Sequence, residues 1–159
     1  MKRFVTVYIL ALACAHICAA QNSGLVGQLA GDGSLTCRFS LTGSSLAGSL
    51  DGNAWVQGDC YRIEADSFLI ICNGKTRWIY NSASDELVVE HNNLSFMNNP
   101  VEKLADGSYR MVIESVEGAG ASLSVTAYNL KRQKEKYPFE YFMMDPEKIS
   151  LDTIVTDLR

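Results

Sequence analysis

The segment AWVQGDCYRIEADSFLIICNGKTRWIY, Ala54–Tyr80, decides the fold of this chain. It consists of short runs rich in aromatic and β-branched residues, and each run ends at residues that favour turns. The breaks fall at Gly58-Asp59, at 65–67 and at Asn73-Gly74, and the last of these is a strong signal for a two-residue hairpin turn. We therefore expect consecutive antiparallel hairpins throughout this segment.

The same pattern continues on both sides of that segment. Further strands are predicted at Ser34–Thr42, Leu46–Gln57, Glu86–His91, Tyr109–Ser115, Ser122–Asn129, Phe139–Met144 and Ile154–Leu158. Residues Pro100–Ala105 are predicted to form one or two helical turns, and Lys131–Lys136 a charged turn that is either solvated or a docking patch. About ten short antiparallel strands predict a mainly β fold, α+β at most, built as a sandwich or as a barrel-like curved sheet.

Composition narrows the classes of function. The chain has 159 residues with a formal net charge of −4, which suits one domain without the basic surface that nucleic-acid binding needs. Its two histidines, His16 and His91, are too few for most zinc sites and for histidine-based triads. Close carboxylate pairs such as Glu64 and Asp66 are interpreted as surface residues. We therefore expect no metal, no cofactor and no enzymatic activity.

Residues 1–20 have the pattern of a cleaved export signal. Lys2 and Arg3 precede an apolar run, Phe4–Ala15, and small residues end the segment at Cys18-Ala19-Ala20. The alternatives are a membrane anchor, for which the run is short, and a lipoprotein box ending at Cys14. The expectation is a periplasmic protein with a single mature domain spanning residues 21–159, in an oxidising compartment.

Hairpin geometry predicts which side chains share a face, because directly opposite residues point the same way. Two-residue turns at Gly58-Asp59 and Asn73-Gly74, with a three-residue loop at 65–67, place most apolar residues of five strands on one face. A turn at 43–45 places Phe39 opposite Gly48, and Arg62 and Arg77 are expected on the opposite, polar face. The candidate ligand-binding residues of the apolar face are Phe39, Val56, Tyr61, Ile63, Leu69, Ile71, Trp78 and Tyr80.

This apolar face has two interpretations. It is either an ordinary core covered by the second half of the chain or a groove for an apolar ligand, and the sequence contains no long amphipathic helix to cover it. The same register places Cys60 directly opposite Cys72, which predicts a Cys60–Cys72 disulfide and leaves Cys37 as a buried thiol.

Three segments resemble a known family. Gly48–Gly58, Tyr61–Glu64 and Cys72–Tyr80, with Asn73-Gly74-Lys75 followed by Trp78 and Tyr80, resemble the periplasmic outer-membrane lipoprotein carriers, the LolA-like proteins. The closing residues Val155–Arg159 look like the C-terminus of Bacteroides-type members. The resemblance implies a curved antiparallel sheet that forms an unclosed β-barrel, with an apolar face that holds the acyl chains of a lipoprotein.

The resemblance also implies partners. Carriers of this family receive lipoproteins from an inner-membrane ABC transporter and deliver them to an outer-membrane receptor, and we expect a monomer that does the same for lipid or lipoprotein acyl chains. The chain departs from the family where Gln21–Gly33 is too glycine-rich for the first helix, and where Val56–Asp59 lacks the arginine that holds the lid. We therefore expect little helical lid. The alternative is a periplasmic protein-interaction module on the same fold that carries no lipid.

Overall fold

Ten strands make up most of the computed structural model, which describes residues 32–43, 48–92, 101–113 and 123–159. Each strand is short, as the turn signals between them predict. The strands are β1 Ser34–Gly43, β2 Leu50–Gln57, β3 Cys60–Ala65, β4 Phe68–Asn73, β5 Thr76–Asn81, β6 Glu86–His91, β7 Val101–Lys103, β8 Tyr109–Ile113, β9 Leu123–Gln133 and β10 Ile154–Asp157. The predicted signal at 1–20 lies outside the described residues.

All ten strands belong to one sheet, in the order β10-β6-β5-β4-β3-β2-β1-β9-β8-β7. The two ends of the sheet do not pair with each other, so the sheet is unclosed, and the predicted mainly β, unclosed architecture is confirmed. Neighbouring strands are antiparallel except β10, which pairs with β6 in parallel. Within the described part of the chain, no helix is long and apolar enough to span a bilayer.

The β1–β2 hairpin is longer than the sequence predicted. Leu41 lies opposite Leu50 and Phe39 opposite Gly52, so the register is shifted by four residues from the predicted pairing of Phe39 with Gly48. An even shift leaves every side chain on its predicted face, because side chains alternate along a strand. Phe39 packs directly over Gly52, where a Cβ atom would lie 2.6 Å from the ring atom Cζ.

The β2–β3 hairpin has the predicted two-residue turn at Gly58-Asp59. Val56 lies opposite Tyr61 and Ala54 opposite Ile63, as the sequence indicated. Gly58 has a φ of +55°, a backbone conformation that glycine adopts at little cost. This turn therefore fixes the register of the central strands.

The β3–β4 hairpin corrects the sequence-based register. The turn has two residues, Asp66 and Ser67, instead of three, so Ile63 lies opposite Ile70 and Tyr61 opposite Cys72. Asp66 adopts a φ of +47°, which makes the tighter turn possible. An odd shift of one residue moves every side chain of β4, and of the strands paired beyond it, to the other face.

The β4–β5 hairpin turns at Gly74 and Lys75, one residue later than predicted. The side chain of Asn73 stabilises this turn, because its Oδ1 accepts hydrogen bonds from the backbone N–H groups of Lys75 and Thr76, at 3.0 and 2.9 Å. Ile71 therefore pairs with Trp78 instead of Thr76. Since the change in pairing is even, Ile71, Trp78 and Tyr80 still share one face.

One face of the sheet carries the larger apolar cluster, and we call it the core face. It runs across the strands from β1 to β5 and continues on β8 and β9. Its buried hydrophobic residues are Leu35, Cys37, Phe39, Leu41, Ala54, Val56, Tyr61, Ile63, Ala65, Ile70, Cys72, Ile79, Met111, Val125 and Ala127. The other side of the sheet is called the opposite face.

Three segments outside β1–β6 differ from their predictions. Residues 131–133, part of the predicted charged turn Lys131–Lys136, form the end of strand β9. Residues 139–144, predicted as a strand, form a short 3₁₀ helix at Phe139–Phe142 that packs against β3 and β4. The helical geometry lets the adjacent residues Tyr141 and Phe142 both contact the protein, whereas a strand would point them to opposite sides. Residues Val101–Lys103, predicted as helical turns, pair with β8 as strand β7.

Candidate functional site

The eight predicted ligand-binding residues do not share one face. The β3–β4 turn divides them into two groups of four. Phe39, Val56, Tyr61 and Ile63 lie on the core face, and Leu69, Ile71, Trp78 and Tyr80 lie on the opposite face. The prediction of one continuous eight-residue surface was therefore wrong at β4 and β5, because a two-residue turn replaced the expected three-residue loop.

Different residues of β4 and β5 lie on the core face in place of the four predicted ones. Ile70, Cys72 and Ile79 lie there, each 4% exposed or less. The sequence could not select them, because the run Phe68–Cys72 is apolar at both odd and even positions and fits either face. The only sequence signal for the correct register was the Asp66-Ser67 pair, two residues that tolerate a tight turn.

The four predicted residues on the core face are buried. Phe39 is fully buried, and Val56, Tyr61 and Ile63 are each 1% exposed. They belong to one apolar cluster together with residues of β8 and β9, which lie beyond β1 in the sheet. An apolar ligand that binds here must therefore replace contacts between protein side chains.

The opposite face is covered at its centre by the C-terminal segment. The ring of Tyr141 makes an edge contact with Trp55, with ring centroids 6.0 Å apart, and the guanidinium of Arg62 lies 5.1 Å from the same ring. Beneath this segment Ile71 is 1% exposed, whereas Trp78 is only half-buried. Trp78 therefore does not report on the core face.

Tyr80, the last predicted residue on the opposite face, contributes to a polar cluster near β10. Its hydroxyl donates a hydrogen bond to Asp85 Oδ1 at 3.0 Å, and Thr153 Oγ1 donates to the same oxygen at 2.6 Å. The hydrogen bond to Asp85 raises the pKa of the Tyr80 hydroxyl. Tyr80 thus helps to hold the chain that leads into β10, instead of lining an apolar groove.

A buried ion pair lies at the margin of the core face. Arg77, expected on the polar face, points to the core face because of the corrected register, and its side chain is only 5% exposed. Its Nε donates a hydrogen bond to Glu90 Oε1 at 2.6 Å, and its Nη2 pairs with the same oxygen. Burial lowers the pKa of Arg77, but the charge of Glu90 and the contact with Tyr61 outweigh this effect and raise it overall.

The three cysteines of the described residues are free thiols. Cys60 lies opposite Asn73, and Cys72 lies opposite Tyr61, so the premise of a directly facing Cys60–Cys72 pair was wrong. Cys37 is buried, as expected, and burial raises the pKa of Cys37 and of Cys72 to about 11. Across the described ranges, no group of three or more His, Cys, Asp and Glu residues has the arrangement of a metal site.

A polar cleft of about 810 Å³ opens on the opposite face, beside an irregularity in the β1–β9 pairing. The register shifts between Thr36 and Arg38, and Asn129 takes up the extra residue with a φ of +53°. Both cationic side chains of the cleft are exposed. The residues that line it are Thr36, Cys37, Arg38, Asn53, Ala54, Trp55, Asn129, Leu130, Lys131, Gln133 and Tyr137.

Comparisons with known proteins bear on the fold alone. No family model and no curated protein match the chain. Among solved structures, the chain is similar to an uncharacterized conserved protein from Thermus thermophilus, with a TM-score of 0.52 and 12% sequence identity. The match covers 83% of this chain and 96% of that one. The architecture therefore also occurs in this uncharacterized protein, and the similarity carries no information about activity.

Proposed function

We propose that this protein binds the acyl chains of a lipid or a lipoprotein on its core face, as a carrier or chaperone in the periplasm. One observation carries the proposal: the core face is apolar from β1 to β5 and again on β8 and β9, and the sheet that bears it is not closed. An inner-membrane transporter and an outer-membrane receptor are the partners that the sequence resemblance adds.

The unclosed sheet matters because of how a ligand must enter. A closed barrel has a continuous ladder of backbone hydrogen bonds, which must break before its wall can part. Among the described strands, the end strands β10 and β7 are not paired to each other, so no ladder between them has to break before the two arms of the sheet separate. An acyl chain can replace those apolar contacts without leaving a backbone group unpaired.

The energetic balance favours long chains. Each buried methylene contributes roughly 0.8 kcal/mol, so several methylenes are needed to offset the packing that a ligand displaces. Phe39, Tyr61 and Ile63 are each 1% exposed or less, so a ligand that binds among them displaces many contacts between side chains. We therefore expect affinity to rise steeply with acyl length and short chains to bind negligibly.

The test uses two neighbouring isoleucines that lie on different faces. Ile70 is fully buried on the core face, and Ile71 is 1% exposed on the opposite face. In a titration with a fluorescent long-chain acyl probe, Ile70→Ala should weaken binding roughly tenfold, because about 1.4 kcal/mol of contact is lost. Ile71→Ala, the matched control, should leave the affinity within about twofold while it costs similar stability.

Two outcomes contradict the proposal. If the wild-type protein shows no saturable response to the probe, the core face is an ordinary core. If both variants weaken binding equally, the probe reports on general loosening of the protein instead of on a site.

A second candidate is a protein-interaction module that uses the polar cleft. It is favoured by the exposed cations Arg38 and Lys131 beside the aromatic side chains of Trp55 and Tyr137, a combination that suits an acidic segment of a partner. The stretch Lys131–Lys136, which begins at the cleft, contributes further positive charge. Affinity purification of the protein from its own host separates the two candidates, since a carrier should contain acyl ligand and a module should retain a protein.

A further inference from the structure

Arg77 has one nitrogen, Nη1, for which the described residues supply no hydrogen-bond acceptor of good geometry, although the Tyr61 hydroxyl lies close to the guanidinium. Its side chain is only 5% exposed, and within the described part of the chain Nη1 is the one buried side-chain nitrogen or oxygen with no hydrogen-bond partner. Buried polar groups are normally satisfied, because an unpaired donor has lost its water without replacement. Such a donor is therefore available to an acceptor from outside the protein, either water or a ligand.

The position of Arg77 connects this donor to the apolar cluster. Arg77 lies opposite Cys72 in the β4–β5 pair, and Cys72 lies opposite Tyr61 in the β3–β4 pair. Cys72 is fully buried and Tyr61 is 1% exposed, and both belong to the core-face cluster. The guanidinium thus lies at the margin of the apolar face, where the polar end of a bound chain would meet it.

The charge of Arg77 is already balanced. Glu90 accepts hydrogen bonds from Nε and Nη2, and its own side chain is 16% exposed, so the ion pair is neutral as a whole. An anionic ligand would bring a second negative charge into this partly buried site beside Glu90, which costs desolvation energy and repulsion. An uncharged carbonyl oxygen accepts the free N–H of Nη1 without that cost.

We propose that Arg77 Nη1 anchors the carbonyl oxygen of an acyl ester or acyl amide, and that the attached chain lies along the core face. This inference rests on the proposed acyl-binding function and deepens it by naming the chemical class at the polar end. Esters occur in glycerolipids and amides in N-acylated proteins, and both offer the same acceptor.

The test compares ligands with one chain and different polar ends. Displacement of a fluorescent acyl probe is measured with monododecanoylglycerol, an N-dodecanoyl dipeptide amide, dodecanoate and dodecyltrimethylammonium, which has no acceptor. The ester and the amide should bind about tenfold more tightly than the carboxylate and the ammonium, as expected for one hydrogen bond from a charged donor. The ratio of ester to amide affinity then distinguishes a glycerolipid from an acylated protein as the preferred source.

The variant arm removes the ion pair as a unit. Arg77→Met/Glu90→Leu leaves no buried charge unpaired, and such replacements are commonly tolerated. The double variant should still bind all four ligands but lose the tenfold preference for ester and amide. Arg110→Met/Glu102→Leu, which removes an exposed ion pair with a separation of 2.7 Å, is the matched control and should keep the preference.

The results separate the two proposals. Binding of every dodecanoyl ligand with equal affinity, or tighter binding of the carboxylate, overturns the anchor while acyl binding stands. Unchanged selectivity in the Arg77→Met/Glu90→Leu variant also overturns the proposed role of Arg77 and leaves acyl binding standing. No binding of any ligand by the wild-type protein overturns both. If the double variant does not fold, the selectivity measured on wild-type protein decides the question alone.

Discussion

Substitution of Gly52 by alanine tests the packing of the core face at its most constrained point. In the structure, a Cβ atom at Gly52 would lie 2.5 Å from the backbone oxygen of Glu64 and 2.6 Å from Phe39 Cζ. Ordinary van der Waals contacts are about 3.5–4.0 Å. The alanine methyl group is therefore about 1 Å too close to two atoms at once, and one of them belongs to the backbone of β3.

The magnitude follows from which neighbours can move. The Phe39 ring is fully buried and the Glu64 oxygen belongs to a paired strand, so both resist displacement. Overpacking of this kind costs about 1–3 kcal/mol, and we expect the upper half of that range for Gly52→Ala. Gly48→Ala is the matched control, because a Cβ at Gly48 would have no atom within 4 Å. It should be neutral or slightly stabilising, since alanine restricts the unfolded chain.

Urea unfolding followed by circular dichroism measures both variants against the wild type. The comparison also distinguishes two registers, because the sequence alone paired Phe39 with Gly48, whereas the structure pairs it with Gly52. If Gly48→Ala is the destabilised variant and Gly52→Ala is neutral, the β1–β2 register described above is wrong. Equal stability of the two variants would refute the contact between Phe39 and Gly52.

The thiols and the C-terminal segment provide three further tests. Alkylation of the native protein at pH 8 should modify Cys60 before Cys37 and Cys72, because Cys60 is the only one of these three thiols that is not buried. Burial raises the pKa of all three thiols, and that of Cys37 and Cys72 to about 11. A Cys60–Cys72 linked peptide in non-reducing mapping would contradict this prediction. The same shifts predict that stability falls at alkaline pH. Since the folded-state pKa lies above the ordinary value of about 9, the contribution of these thiols is complete below pH 9 and is lost as the pH rises towards 11. The fall in urea midpoint should be smaller for Cys37→Ala than for the wild type. Finally, Tyr141→Ala should cost about 2 kcal/mol and change the near-UV circular dichroism, because the ring contacts Trp55 and stacks on Tyr137 at 4.8 Å, whereas Tyr141→Phe should resemble the wild type.

The sequence predicted the strands well and their faces only in part. Turn residues located nearly every strand of β1 to β6, and the Gly58-Asp59 turn led to the correct pairing of Val56 with Tyr61. The four-residue error in the β1–β2 register left every side chain on its predicted face, because side chains alternate between the two faces with a period of two residues. The error of one residue at Asp66 moved Ile71 and Trp78 to the other side of the sheet.

The candidate site depended on that single turn. Leu69, Ile70 and Ile71 are all apolar, so no alternation in the sequence could reveal which of them faces the core. What decides the register is the left-handed conformation of Asp66, which aspartate tolerates but which the sequence alone does not require. Arg77 was missed for the same reason, since its burial follows only from the corrected register.

The central position of β1 has a consequence for the time course of folding. Strands β1 to β6 can pair one after another as they are synthesised. The other edge of β1 stays unpaired until β9 has been made, because Phe39 pairs with Ala127, which follows it by 88 residues. During that interval one side of β1 presents unpaired N–H and C=O groups beside Phe39 and Leu41, which is a template for strands of other molecules. Yield during refolding should therefore depend on protein concentration and on how soon residues 123–133 become available, more than on the final stability of the sheet.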